Sequence, residues 1–376
     1  MSQKRTIAAV GDIVISGSLI AEPPKVSFAS MTRDLEGFFT DTDLVIANLE
    51  APVTDCKSSR PGQLWTLRTP VALAPVLSVF GGMSLANNHI LDFGTEGLSS
   101  TLSQLDQLGI RHCGAGLTRE AAARPAFFDL HGFKVGMLAF ADRNWYPVTF
   151  TEPGTNVWQG HESEKAIASL SKETAFLIVQ FHQGYEFLDY PGPEEWTMAE
   201  KATRAGADLV LFHHSHTLMG ITRFGNSACA FGLGNFIFDN TSFPAAHVEK
   251  IRRRAVFCFD VSEHKVENWR VQPSTSDACG WPVAATKRDA TEIPELVRTL
   301  SLALQNKEEA IRHFRAQAAE RMVPHAWKSL CLLLRKEGAR AVVIRLLRLR
   351  WVDMTVLFVS AWQSLFRTSK QRGDAS

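Results

Sequence analysis

The feature that most constrains this chain is a series of apolar runs, each of which ends in polar side chains of the same few types. TIAAV (6–10) gives way to Gly11 and Asp12. DLVIANLEAP (43–52) releases Asn48 and Glu50. MSLANNHILDFGTEG (83–97) releases Asn87, Asn88, His89 and Asp92. FLIVQFHQGYEF (176–187) releases His182, Gln183 and Glu186, and AGADLVLFHHSH (205–216) releases His213, His214 and His216. Short continuous apolar runs fit strands buried on both faces. Open α/β sheets bind ligands in the crevice at the ends of such strands. Between these runs lie helical signals. Leucines at 98, 102, 105 and 108 keep a period near 3.6. Glu194–Ala205 stops at Gly206, a good C-terminal signal, and 70–80 also reads as a helix. FKVGMLAFAD (133–142) adds a strand, and ACAFGLGNFIFD (228–239) reads as a strand broken by Gly232 and Gly234. Arg254–Asp260 and Val266–Val271 finish an antiparallel edge.

Composition narrows the partners and the compartment. The 376 residues are 45% hydrophobic and 21% charged, enough for a large buried core, and the net charge of +1 gives no footing for nucleic acid. Six cysteines are scattered without a CxxC pair, which argues against a zinc ribbon or a disulfide framework and fits a reducing, cytoplasmic setting. The N-terminal apolar run is interrupted at Gly11 and Asp12, shorter than a secretory core. No run of about 20 apolar residues suggests a membrane span. Near Pro282 the character changes. The expected division is an α/β domain over 1–284 and a helical, basic extension over 285–376. From Arg335 to Arg372 nine Lys or Arg face only Glu337 and Asp353. Residues 330–367 therefore fit either a helix lying on an anionic membrane surface or, as the favoured alternative, a helix packed on the main domain with solvated arginines.

Taken together, the strand-end carboxylates, imidazoles and amides are ligands for borderline divalent metals. No thiolate lies near them, unlike a structural zinc site. Singly, each has an ordinary reading: Asp12 as a turn, Asn48 as a cap, Glu50 as a solvated loop charge, His182 as a satisfied core histidine. Three imidazoles in 213–216 are harder to dismiss. On an extended backbone His214 and His216 would point to the same side and reach one ion or two neighbouring ions. A bound dication lowers the pKa of water toward about 7, and two ions roughly 3.5–4 Å apart can clamp attacking and leaving oxygens. His89, if not itself a ligand, suits the protonation of a leaving group. Asp92 and Arg143 complete the expected catalytic set beside it.

The segments GDIVISGSL, DLVIANLEAPVT, SLANNHILDFGTEGL, HCGAGLTREAA, HQGYE, AGADLVLFHHSHTL and GLGNFIFD occur in this order. Together they resemble the bacterial CapA family of capsule and poly-γ-glutamate synthesis proteins, within the calcineurin-like metallophosphatase superfamily. The resemblance covers roughly 6–240. It implies a four-layer α/β/β/α metallophosphatase-like sandwich with a dinuclear site at strand ends, holding Mn, Zn or Fe. By position it implies Asp12, Glu50, Asn88, His182, His214 and His216 as metal ligands and His89 near the leaving group. The chain departs from the superfamily in three places. Val14 stands where phosphatases keep the histidine of Asp-x-His, Gln183 replaces the usual aromatic, and His213 replaces a glycine. The implied function is a metal-dependent hydrolase or amide-forming enzyme acting on a γ-glutamyl-type amide or polymer precursor. The alternatives are a metal-dependent phosphoesterase and a non-catalytic accessory subunit that binds polymer or a synthetase partner. Val14 weighs against the phosphoesterase.

Overall fold

The computed structural model describes residues 5–21, 33–60, 66–142, 152–243 and 245–320. Arg143 and the segment 330–367 lie outside the described residues. By internal packing the chain divides into 1–306 and 307–376. Within the second unit, 307–320 is helical.

The first unit is built on two sheets. One uses β1 (Arg5–Ile13), β2 (Leu44–Leu49), β3 (Gly82–Ser84) and β4 (Arg111–Cys113). β13 (Asn235–Ile237), β14 (Arg253–Ser262), β15 (Lys265–Ser276) and β16 (Pro282–Ala284) complete it. Its order is β16-β15-β14-β1-β2-β3-β4, with β13 also paired to β1. The other uses β6 (Ala126–Leu130), β7 (Phe133–Ala141), β9 (Phe176–His182), β10 (Leu209–His213), β11 (Ile221–Phe224) and β12 (Ser227–Ala230), in the order β11-β12-β10-β9-β7-β6. The short β5 (Ala115–Gly116) and β8 (Gly154–Thr155) pair apart from both. β1, β2, β3 and β4 run parallel, as do β7, β9 and β10. Their C-terminal ends therefore lie together on each sheet.

Alternation along the strands makes the layers. On β1, Ile7 and Ala9 face a core shared with Ile46, Phe257 and Phe259 of the same sheet and with Val135, Met137, Phe176, Ile178, Leu209 and Leu211 of the other. Ala8 and Val10 face the opposite way, into a cluster with Leu73, Val76 and Leu77 of a 3₁₀ helix (Val71–Val79) and with Leu98 and Leu105 of α1 (Gly94–Gln107). The outer face of the second sheet carries an aromatic stack, Phe140 on Phe181 on Phe212 on Phe231 on Trp196. Trp196 comes from α3 (Pro193–Arg204), and α2 (His161–Ser171) packs on β7 and β9. Helix, sheet, sheet and helix thus form the four-layer α/β/β/α sandwich. Among the described residues no helix is long and apolar enough to cross a membrane.

Three local outcomes differ from the pattern reading. Residues 71–79 form a 3₁₀ helix with Pro75 inside it, because proline supplies no backbone donor for a continuous α-helix. The broken run 228–239 does not stay in one sheet: β12 pairs with β10 and β11, while β13 crosses to pair with β1. Finally, α4 (Lys287–Ala303) sends Ile293 and Val297 into the inter-sheet core. The first unit consequently runs on through Asn306, past the 284/285 division expected from composition.

The β1–β13 pairing depends on a close approach at two glycines. A Cβ on Gly11 would lie 1.9 Å from the Gly234 carbonyl oxygen and 2.7 Å from that of Leu233. Gly234 itself has φ +67, the left-handed region that glycine adopts without penalty. Gly11→Ala is expected to lower the unfolding free energy by about 1–3 kcal/mol, the range for overpacking a tight contact. A urea titration showing an unchanged midpoint would count against this packing.

Candidate metal centre

The strand ends converge. Asp12 sits at a register shift in β1, between Ala9 and Ile13, where the chain pairs with both β2 and β13. Such irregularities re-aim a side chain out of the pleat. The Asp12 carboxylate is fully buried. Its Oδ1 accepts from Asn48 Nδ2 at 2.8 Å and lies 3.2 Å from His213 Nδ1. Its Oδ2 accepts from the His214 backbone N–H at 3.3 Å and lies 3.4 Å from His216 Nδ1. Asn48 belongs to the first sheet, whereas His213, His214 and His216 belong to the end of β10 and the loop after it, so one carboxylate joins both sheets.

Glu50, just past β2, approaches the same point. Its Oε1 is 3.3 Å from His182 Nε2, and its Oε2 is 3.9 Å from His216 Nδ1. His182 Nδ1 faces Asn48 Nδ2 at 3.1 Å, so Asn48 holds Asp12 and His182 together and acts as a positioning residue. Three sets of donor atoms lie within 4.8 Å of one another: Glu50, His182 and His214; Asp12, Glu50 and His216; Glu186, His214 and His216. Glu50, His214 and His216 are each shared between two sets. The predicted ligands Asp12, Glu50, His182, His214 and His216 are therefore brought together.

The turn after β3 supplies the rest. Asn87 is structural: its Oδ1 accepts from the backbone N–H groups of His89 and Ile90, and its Nδ2 donates to the Leu49 carbonyl at 2.8 Å. This Asx-type turn pins the segment to the end of β2. His89 Nδ1 lies 2.7 Å from Asp92 Oδ2, which also accepts from the Leu67 backbone N–H at 2.7 Å. Asp92 is fully buried, while the His89 side chain keeps 17% exposure. Asp92 therefore orients His89 and does not itself face the crevice.

The loop carrying the imidazoles is not extended. His214 has φ +88 and His216 φ +56, both in the left-handed region. The expectation that a strand-like backbone would present them side by side is corrected here: two uncommon backbone states curl the loop so that both reach one donor set. Non-glycine residues held at positive φ persist where surrounding structure over-determines them. Here the Asp12 carboxylate and the Phe187 N–H to Ser215 carbonyl bond of 2.8 Å supply that restraint.

Electrostatics sort the donors. Burial raises the Asp12 carboxyl, but hydrogen bonds from His213 and His216 outweigh it and hold Asp12 well below the usual range. Burial, then the neighbouring Asp12 charge, pushes Glu50 up to about 8. Burial holds His182 well below its ordinary value. Burial and then His182 bring His214 down to about 3. Both imidazoles are thus neutral at physiological pH, the state a metal ligand needs. Burial opposes protonation of His216 too, yet Glu50 and Asp12 prevail and raise it to about 10. In the same way the Asp92 hydrogen bond overcomes burial and raises His89.

Two observations fit this donor set to a cation. Glu50 Oε2 and Asn88 Oδ1 are buried oxygens with no hydrogen-bond partner, and buried polar atoms are rarely left so. The donors are all oxygen and nitrogen, suited to Mn, Zn or Fe. At position 14, in contrast, Val14 is buried against Ala51 and Phe238, so no imidazole enters from β1. Three residues that the sequence pattern did not place among the ligands or catalytic groups also belong to the centre. His213 contacts Asp12 and meets Gln180 Oε1 at 2.9 Å, Asn235 Oδ1 meets His216 Nδ1 at 2.9 Å, and Glu186 completes the third donor set. Asn235 had a signal, since it directly follows the strand-breaking Gly234. Because Glu50 and His216 must shed protons to bind a cation, Mn(II) affinity is expected to rise by up to about tenfold per pH unit per proton released between pH 7 and 9. Isothermal titrations at several pH values in buffers of different ionisation enthalpy check this, and a pH-independent affinity with no proton release would contradict it.

The chain is similar in sequence to several known proteins. The PGA biosynthesis protein CapA of Bacillus subtilis (strain 168) is 26% identical over 237 residues, covering 61% of this chain and 62% of that protein. The capsule biosynthesis protein CapA of Bacillus anthracis is 23% identical over 296 residues, covering 73% and 71%. A probable polyglutamine synthesis accessory protein of Mycobacterium tuberculosis (strain CDC 1551 / Oshkosh) is 28% identical over 226 residues, covering 53% and 57%. The chain therefore spans less than two thirds of the length of two of these three relatives. Among solved structures, a 5'-nucleotidase precursor from Thermus thermophilus aligns with a TM-score of 0.46 at 12% identity, over 81% of this chain and 59% of that one, too distant a likeness to argue from. The family model described as "Bacterial capsule synthesis protein PGA_cap" matches residues 6–240, well over half of the 376. The chain belongs to this bacterial capsule synthesis family.

Proposed function

We propose that this protein is a metal-dependent hydrolase of γ-glutamyl-type amides or related polymer precursors, working alongside a synthetase. The observation that carries the reading is the convergence of Asp12, Glu50, His182, His214 and His216 around unpartnered buried oxygens, with the His89–Asp92 pair beside them. Asp12, Glu50, Asn88, His182, His214 and His216 would hold divalent cations, and the shared donors Glu50, His214 and His216 suit two neighbouring ions. When bound, such ions supply a hydroxide nucleophile at neutral pH and polarise a carbonyl oxygen.

The chain's own groups supply the remainder. Asp92 fixes the His89 ring and favours its protonated form. His89 is partly exposed, so it can hand a proton to a departing amine nitrogen. Asn48 fixes the angle between Asp12 and His182, the kind of outer support that tunes a metal site. Association with a synthetase is suggested by the name of the mycobacterial relative, a probable polyglutamine synthesis accessory protein. A second reading, a non-catalytic accessory subunit, draws on the same name and on the apolar environment of Val14, which leaves the centre one imidazole fewer than the superfamily's phosphatases.

His89→Gln is expected to lower kcat for release of glutamate from a γ-glutamyl oligomer by about 10²–10⁴-fold while Mn(II) uptake stays unchanged. Metal analysis of the purified variant alongside the activity assay separates the two effects. Hydrolysis of aryl phosphate esters with none of the γ-glutamyl substrate would replace the amide reading by the phosphoesterase. Bound metal with no hydrolysis of either would favour the accessory role.

A further inference from the structure

The loop after β9 is fastened to the loop after β10 at several points. The Gln183 backbone N–H donates to the His213 carbonyl at 3.3 Å, and the Phe187 N–H donates to the Ser215 carbonyl at 2.8 Å. On its other side, Lys250 Nζ donates to the Phe187 carbonyl at 2.7 Å and pairs with Asp189. The Phe187 ring stacks on His247 with centroids 4.2 Å apart and planes at 7°. Phe187 takes φ +63, a left-handed state for an aromatic residue, and Gly184 takes φ +120. Between these two bends stands Glu186. Its side chain is exposed, yet a carboxylate oxygen lies within 4.8 Å of donor nitrogens of both His214 and His216. A solvated surface glutamate needs none of this fastening, whereas a carboxylate held at a fixed distance from two imidazoles does. Strained backbone of this kind collects where a side chain must be aimed.

We propose that Glu186 is a ligand of the second cation, held with His214 and His216 on the solvent side of the centre, while the two buried donor sets built on Glu50, with Asp12 and His182, serve the inner position. The inference rests on the metal-dependent reading above and adds a ligand to it. Glu186 is the exposed member of its donor set, since His214 and His216 are both buried. It is therefore the ligand through which the outer cation meets solvent, and the inner donors are screened from exchange by burial. Carboxylates accept a dication in one- or two-oxygen modes, so Glu186 can release an oxygen to an incoming ligand without leaving the ion.

The test is titration of the full chain, stripped with EDTA and dialysed, with MnCl₂, read by calorimetry and by metal analysis after desalting. Wild type is expected to take up two ions. Glu186→Gln is expected to keep one at unchanged affinity and to bind the other at least tenfold more weakly, with Glu186→Asp falling between. Thermal melting of the metal-free variants should match metal-free wild type, because the side chain is exposed. Two ions of unchanged affinity in Glu186→Gln would overturn the assignment and leave the metal-dependent reading standing. Loss of both ions, with metal-free melting preserved, would overturn the division into inner and outer positions. A wild type that binds no Mn(II), Zn(II) or Fe(II) would overturn both the assignment and the reading on which it rests.

Discussion

The buried carboxylate of Asp12 is the interaction on which the rest depends. A charge at zero exposure is tolerated only when it is paired and hydrogen-bonded. Here the compensation comes from Asn48, His213, His216 and the backbone of His214. Those groups belong to strand ends far apart in sequence. Satisfying one anion therefore fixes the register between the two sheets' rims. It also explains the left-handed backbone at His214: the peptide N–H can face Asp12 only if the chain turns sharply after β10.

From that anchor follows the division of labour among the imidazoles. His182 and His214 also have carboxylates beside them, but burial outweighs those charges and lowers both imidazoles. His216 lies between both carboxylates, 3.4 Å from Asp12 and 3.9 Å from Glu50, and their charges raise it against burial. His89 lies at the edge with a private carboxylate, Asp92, so its proton is available to a bound molecule and not spent on the cluster. Four imidazoles within one crevice thus differ in state because their surroundings differ, not because of the residue type.

Much of this was legible in the chain. Apolar runs bounded by polar residues located β1, β2, β9 and β10, since strands buried on both faces leave an unbroken signature. Asp12, Glu50, His182, His214 and His216 could be named because each closely follows such a run. Other features had a weaker local signal. His213 was legible as one of three imidazoles closing the 205–216 run, but that it meets Asp12 follows only from the convergence of the two sheets. Glu186 was among the polar residues released by the 176–187 run, but its approach to the imidazoles depends on the loop fastened by the Phe187–Ser215 bond. The 3₁₀ form of 71–79 follows from Pro75, which the helical reading of the segment did not weigh. The change in composition falls near Pro282, yet Ile293 and Val297 pack in the first unit's core, because an amphipathic helix looks alike whether it covers a domain or leaves it.

The crossing of the chain between β12 and β13 has a mechanical consequence. Only residues 231–234 separate the strand paired in one sheet from the strand paired in the other, and this crossover holds Gly232 and Gly234 close against Thr217 and Leu218. Such a splice leaves little slack: shear between the two sheets would pull Asn235 from β1 and from His216 at once, so sliding of the sheets is coupled to the rim of the crevice.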